Sequence, residues 1–188
     1  MNRIQKISTY LLAIFNLLLW TLPLSSMLLW FFIDTSPVRN LLARGIFLNP
    51  VQTPEGLINL AYQNWTPLSK TIGFIGSVID CLPLFLSLFV LKSIFKNYQK
   101  GEIFISQNAL YYKRLGIFFF LDALLAKPLS GMLQVLAVTC SNEPGHRYIT
   151  FSLGTPNLED LFCGLLIIVI SWVMLEASKL QDDQKFTI

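Results

Sequence analysis

The sequence predicts an all-α membrane protein, a bundle of four transmembrane helices, and three observations carry that prediction. Hydrophobic residues make up 54% of the 188 and charged residues 13%, with a mean hydropathy of +0.58, whereas a soluble domain carries roughly a quarter charged residues. Four apolar stretches recur along the chain, each close to the length of about 20 residues that spans a bilayer. Lysine and arginine are spread unevenly between alternate connections, the pattern that sets membrane orientation. A soluble protein of this size has too little interior to hide so much apolar surface, so the chain, 1–188, reads as one integral membrane domain.

The first stretch, Tyr10 to Ile33, runs 24 residues without a charge and is interrupted by Asn16 and Pro23. Arg3 and Lys6 before it raise the alternative of a signal peptide. An apolar signal core runs only about 7–15 residues, and no small-residue cleavage site follows Ile33, so the stretch is read as a span. Leu68 to Leu91 is the second, with Asp80 inside it, and Leu115 to Val138 the third, with Asp122 and Lys127. Leu161 to Leu175 is the core of the fourth. Thr155-Pro156 marks its start, and Glu159 and Asp160 stand in or near its first turn, where acids suit the helix dipole. Including flanks, the helices are expected over about 10–33, 68–99, 106–138 and 156–180.

Orientation follows from the connections. Arg3, Lys6, Lys92, Lys96, Lys100, Lys113, Arg114, Lys179 and Lys185 fall on one side, nine in all, against Arg39, Arg44 and Arg147 on the other. That bias places both termini and the middle connection in the cytoplasm. Helical pattern continues past the second span to about Gln99, Gly101 supplies a stop, and Ser106 is a ready N-cap. The second and third helices are therefore expected to form a long hairpin projecting on the order of 10 Å into the cytoplasm, with Tyr98, Tyr111 and Tyr112 at the level of an aromatic belt. The first outer connection, Asp34 to Pro67, carries Pro37, Pro50 and Pro54. In the third, Arg147 to Leu153 alternates like a short strand. Gly45 to Leu48 is its candidate partner in a small two-stranded β cap on the outer side.

Charges inside spans are the next feature. An ionisable side chain at mid-bilayer costs about 2.5–3.5 kcal/mol on insertion scales, so it needs a partner or a use. Asp80 and Lys127 each lie about 12 residues from a helix end, roughly 18 Å deep. Asp80 shares a stripe with Ser69, Gly73, Gly76 and Ser77, and Lys127 with Gly116, Ala123, Gly131 and Gln134. Small residues let membrane helices approach closely, so an intramembrane Asp80–Lys127 pair is expected, with a transport or proton-relay site as the sharper use. Asp122 lies about 140° around its helix from Lys127, at the depth of Asn16, and an Asn16–Asp122 polar contact is the expectation there. A carboxylate snorkelling to the interface is the equal alternative.

Lys92, Lys96 and Lys100 repeat every four residues on one face of the projecting helix, and Ile103 and Phe104 form an apolar tip beyond them. Anionic lipid is the ordinary partner of such lysines; a soluble acidic protein is the sharper one. Apolar tip residues in water fold back, cover the C-terminal tail with its Phe186 and Ile188, or meet another protein. Three scattered cysteines, Cys81, Cys140 and Cys163, give neither a disulfide framework nor a zinc site, although Cys140 and Cys163 could meet near the outer surface. His146 with Glu143 and Cys140 is a weak metal signal. There is no nucleophile elbow, phosphate loop or H-E-x-x-H, so no catalytic, cofactor-binding or metal residue is assigned and no enzyme is expected. A net charge of +3 is too small to argue for direct nucleic-acid binding.

Two stretches carry a resemblance. Lys96-Asn-Tyr-Gln-Lys-Gly-Glu-Ile-Phe-Ile-Ser106, followed by Lys113-Arg-Leu-Gly116, resembles the cytoplasmic turn of a large bacterial family of four-helix membrane proteins catalogued as the domain of unknown function DUF2975. The ending from Glu176 to Ile188 is similar to that family's acidic tail closing on Leu-Thr-Ile, with Phe186 in the leucine position and Lys179 and Lys185 offsetting Asp182 and Asp183. The resemblance implies four helices and a bacterial cytoplasmic (inner) membrane, and supplies no catalytic residues. It also implies company with small helix-turn-helix regulators. The expected function is a non-enzymatic membrane protein that senses, regulates or binds a cytoplasmic partner; the alternative is a small transporter or permease subunit using Asp80 and Lys127.

Overall fold

The computed structural model describes residues 3–46, 48, 50–143, 145–151 and 155–186, without the side chains of 155, 156, 185 and 186. Its helices are α1 (Arg3–Phe31), α2 (Ser36–Ala43), α3 (Pro67–Lys100), α4 (Ser106–Leu121), α5 (Lys127–Thr139) and α6 (Thr155–Phe186). A π-helical turn, Asp122–Ala126, makes α4 and α5 one continuous rod. Four helical stretches are long and apolar enough to cross a membrane: Arg3–Phe31, Pro67–Lys100, Ser106–Thr139 and Asn157–Gln184. The helices outrun the apolar patterns, α1 starting at Arg3 and α6 continuing to Phe186, because polar flanks extend a helix once an apolar run has nucleated it. Hydroxyls inside these rods bond to their own backbone, as Ser8 does to the Ile4 carbonyl at 2.7 Å and Ser171 to that of Ile168 at 2.7 Å. That is how a polar side chain is tolerated without water.

The chain divides into two compact units. The first joins Met1–Thr21, Pro83–Leu124 and Gly154–Ile188. Within it α4 packs on α6, and the crossing depends on glycine at both faces. A Cβ on Gly116 would lie 2.6 Å from Ile168 Cγ1 and 2.8 Å from the Gly164 carbonyl oxygen. On the other side Phe15 of α1 meets Phe95 of α3 edge-on at 5.5 Å, and Gln99 donates to the Thr9 hydroxyl at 3.1 Å.

The second unit joins Leu22–Leu82 and Leu125–Leu153. Its core gathers Trp30, Ile33, Leu42, Leu60, Trp65 and Val138. The Trp30 and Trp65 rings meet edge-to-face at 5.2 Å, and the Trp30 indole N–H donates to the Ser77 hydroxyl at 2.8 Å. The indole lies so close to α3 that a Cβ on Gly73 would fall 1.9 Å from it. The expected small-residue stripe of α3 therefore receives an indole at Gly73 and Ser77. Gly76 of the same stripe approaches Leu133 and the Ser130 carbonyl of α5. Asp34 links α3 to the first connection by accepting from Lys70 and from Arg39 Nη2.

Three details differ from the sequence expectations. The two-stranded sheet exists, but it is an antiparallel hairpin of β1 (Val51–Thr53) and β2 (Gly56–Ile58), with Val51 opposite Ile58. Pro54-Glu55 closes a two-residue turn there, and Gly56 takes the positive φ of 126° that the following strand needs. Among the described residues, 147–151 belong to no strand; the Tyr148 N–H instead donates to the Thr139 hydroxyl at the end of α5, at 3.1 Å. The first connection also contains α2, which begins at the Ser36-Pro37 step. Proline there starts a helix rather than breaking a chain. Finally, the N-cap of α4 is Ile105, with no side-chain cap, and Ser106 is already helical.

The packing predicts unequal glycines. Gly116→Ala pushes a methyl against a backbone carbonyl that cannot swing aside, and the expected loss is on the order of 1–3 kcal/mol. Gly131→Ala meets nothing within 4 Å and should match or slightly exceed the parent. Apparent Tm in a mild detergent, read side by side for the two variants, checks the contrast.

Candidate functional site

Two places collect the residues singled out from the sequence. In the second unit, Asp80 of α3 and Lys127 at the head of α5 line one cavity of about 360 Å³ with Ser130, Gln134 and Gln52. Lys127 acts on the Asp80 carboxylate by Coulomb attraction, and Gln134 Nε2 donates to Ser130 Oγ at 3.3 Å. Pro50 and Val51 from the first connection and Thr150 from the third complete the wall. Among apolar helices, non-helical backbone is tolerated where it lines a cavity or is buried in protein. Gly131 also faces this space, and a Cβ there would touch nothing within 4 Å. A smaller cavity of about 120 Å³ shares Asp80 and Leu48 with the first. Its wall holds Ser26, whose hydroxyl oxygen is buried without a hydrogen-bond partner among the described residues.

The stripe counted for Lys127 does not extend back to Gly116. The π turn adds one residue per turn, so constant 3.6-residue spacing does not carry across it. Gly116 accordingly meets Ile168 and Gly164 of α6, while Gly131 and Gln134 stay with Lys127 on the cavity.

The other place is the turn from α3 to α4, in the first unit. Gly101 closes α3 with φ 87°, its N–H reaching the Tyr98 carbonyl while that of Glu102 reaches Asn97, both at 3.0 Å. Only a residue without a Cβ takes this left-handed position freely. Asn108, fully buried, then locks the turn. Its amide nitrogen donates to the Glu102 and Ile103 carbonyls at 2.8 Å each, and its oxygen accepts from Asn97 Nδ2 at 2.7 Å. The hydroxyls of Tyr98 and Tyr112 bond at 2.9 Å just behind. Ile103 is half-buried against this frame and Phe104 is 46% exposed. Lys96 and Lys100 are exposed and Lys92 half-buried along α3.

The remaining expectations separate. Asn16 is exposed and makes no hydrogen bond among the described residues, because Phe15 beside it takes the face turned to α3; the Asn16–Asp122 contact does not form. Asp122 is half-buried at an apolar cavity of about 220 Å³ with Leu91, Phe118 and Ile167. The His146 ring joins neither Cys140 nor the Glu143 carboxylate: its backbone N–H donates to the Glu143 carbonyl at 3.1 Å, and its Nδ1 pairs with Glu55 on the β-hairpin turn. No disulfide joins Cys81, Cys140 or Cys163. Phe186 and Ile188, expected to cover the tip, lie outside the described side chains.

Sequence reasoning missed Ser26, Glu55, Asn108 and Asn157. The last donates from Nδ2 to the buried Ala123 carbonyl at 3.0 Å. Asking which side chain serves the carbonyls freed at a helix end or beside a proline would have found Asn108 and Asn157. Nothing in the pattern marks Ser26.

The sequence model of one family, described as "Protein of unknown function (DUF2975)", matches residues 48–188. No curated protein and no solved structure matches the chain.

Glu55 generates a pH prediction. The Tyr148 hydroxyl donates to Glu55 Oε1 at 2.6 Å. This bond first, and the His146 contact second, hold the Glu55 carboxyl below the usual carboxylate range; the Tyr148 phenol is raised in turn. A depressed carboxylate stabilises fully above its unfolded value of about 4.3 and loses that contribution as pH falls through its folded value. The connection holding Tyr148 should therefore stay latched at neutral pH and release only as pH falls through the lowered Glu55 value. Tyr148→Phe should move the Glu55 midpoint upward, towards about 4.3, in a side-chain carboxyl NMR titration.

Proposed function

The chain belongs to the DUF2975 family, and from that premise we propose that it is a non-enzymatic regulatory protein of the bacterial cytoplasmic membrane that docks a cytoplasmic partner on the turn between α3 and α4. One observation carries the reading: the buried Asn108 amide fixes this turn and so holds Phe104 out at 46% exposure. A solvated turn needs no such lock. An aromatic side chain held in place loses little freedom on binding, which is what makes an anchor effective. Lys96 and Lys100 beside it supply attraction to an acidic partner or to anionic lipid. The nine-to-three bias of basic residues supports both termini and this turn lying inside, with the hairpin of α3 and α4 projecting from the bilayer. The company kept by proteins that this sequence resembles makes a small helix-turn-helix regulator the partner class of choice.

A second reading is favoured by the cavity that Asp80 and Lys127 share: a small permease subunit, for which Asp80→Asn would abolish flux of a solute while leaving the fold intact.

The docking reading is tested in cells with a photo-crosslinking amino acid. At position 104 it should give protein adducts that disappear when Ile103 is changed to Ser, and at Trp20, which is 80% exposed on α1, it should give lipid adducts only. Adducts at 104 that vanish on neutralising Lys92, Lys96 and Lys100 yet survive Ile103→Ser would move the site to the lysine face. A reporter fused after Gln99 that is active only outside would remove the premise.

A further inference from the structure

We infer that the cavity of the second unit is a binding site for a small zwitterion, a molecule carrying one ammonium and one carboxylate on a short apolar body. The volume of about 360 Å³ falls in the range of small-molecule sites, roughly 300–1,000 Å³. Its wall carries one acid, Asp80, and one base, Lys127, among aliphatic surface from Leu48, Pro50 and Val51.

Charge balance selects the ligand. In a medium of low dielectric an unpaired ion is costly, and two opposite charges tolerate the site because each offsets the other. A lone cation binding at Asp80 would leave Lys127 without compensation, and a lone anion at Lys127 would strand Asp80. A neutral polar molecule cannot replace either charge. A zwitterion can: its ammonium takes Asp80 and its carboxylate takes Lys127, so every charge stays compensated before and after entry. The proposal needs only that the two side chains share the cavity, whatever else each touches.

A second feature supports a ligand. The Ser26 hydroxyl, buried and without a hydrogen-bond partner among the described residues, sits in the small cavity that shares Asp80 and Leu48 with the main one. Buried polar atoms are ordinarily satisfied, and a ligand ammonium seated at Asp80 has further donors to offer on that side. Gly131 lines the main cavity, and a Cβ added there would meet nothing within 4 Å.

The inference does not depend on the docking turn, which lies in the other unit. It is tested by titration calorimetry on the full-length protein in an uncharged detergent, with glycine, L-alanine and L-leucine as probes. Each is run beside its amine-only and acid-only counterpart (for leucine, 3-methylbutylamine and 4-methylpentanoate). At least one zwitterion should bind with Kd below about 10 mM, and its counterparts at least tenfold more weakly. Gly131→Leu should abolish binding while leaving helical content and apparent Tm at the parental level. Asp80→Asn and Lys127→Met should each abolish binding, and the double variant should recover stability but not binding. Absence of binding by all three zwitterions, or equal binding by an amine-only or acid-only counterpart, overturns the proposal. So does retained binding in a folded Gly131→Leu. Variants of Ile103 and Phe104 should titrate like the parent, so failure of the docking reading leaves this result unchanged.

Discussion

Much of the architecture turns on one missing hydrogen-bond donor, the backbone nitrogen of Pro128. It stands inside a continuous apolar rod, Ser106–Thr139, where no water is at hand for an orphan carbonyl. An α-helix cannot pass a proline unchanged, because the ring removes a bond and crowds the carbonyl four residues back. The chain answers with the π turn at Asp122–Ala126, one of the local adjustments by which membrane helices accommodate proline. In i→i+5 geometry the carbonyl left without a partner by residue 128 is that of residue 123. Asn157 of α6 donates to that oxygen at 3.0 Å. The proline thus accounts for the extra residue in the turn and the buried polar bond from α6.

The same solution recurs where α3 meets α4. Gly101 ends α3, and the carbonyls of the turn after it, Glu102 and Ile103, are taken by Asn108 reaching back from α4. In both places a carboxamide is the right group, since it brings two N–H donors and an acceptor without a charge to be desolvated. Aspartate or glutamate would offer no donor at neutral pH, and serine only one. The tip is therefore rigid for a reason independent of any partner, and what it adds is the position of Phe104.

Some of this was legible in the sequence and some was not, and the division is physical. Apolar runs of about 20 residues encode their own length against the bilayer, so α1, α3, the α4–α5 rod and α6 could be read directly. Gly101 was legible because only glycine takes its φ cheaply. The π turn was not, because one added residue is invisible to a count at 3.6 spacing, and every stripe drawn across it inherits the error. The strand expected at Arg147–Leu153 had the right alternation but no turn to close it. Pro54-Glu55-Gly56 offered a closed two-residue turn, and the hairpin formed there. Pro37 does not reveal α2, because proline suits the first turn of a helix as well as a loop. The cavity was not legible at all: Asp80 and Lys127 were matched by depth, but the walls come from connections whose path no periodicity records.

What sets the cavity apart is how differently it treats polar groups. Elsewhere among the apolar helices several polar side chains are matched locally: Ser8 and Ser171 to their own helix, Trp30 to Ser77, Asn157 to Ala123, Asn108 to its turn. Such contacts are complete in themselves and gain nothing from a visitor. At the main cavity the chemistry is of another kind, a carboxylate, an ammonium and two amides around empty space, with glycine at 131, and the unpartnered Ser26 hydroxyl stands in the smaller cavity that shares Asp80. Packing free energy favours filling such a space, since interiors are ordinarily dense and voids cost stability. A Cβ at 131 would meet no neighbour within 4 Å. That the sequence leaves glycine there, beside the charged residues of α3 and α5, is the pattern of a space kept for something that enters and leaves.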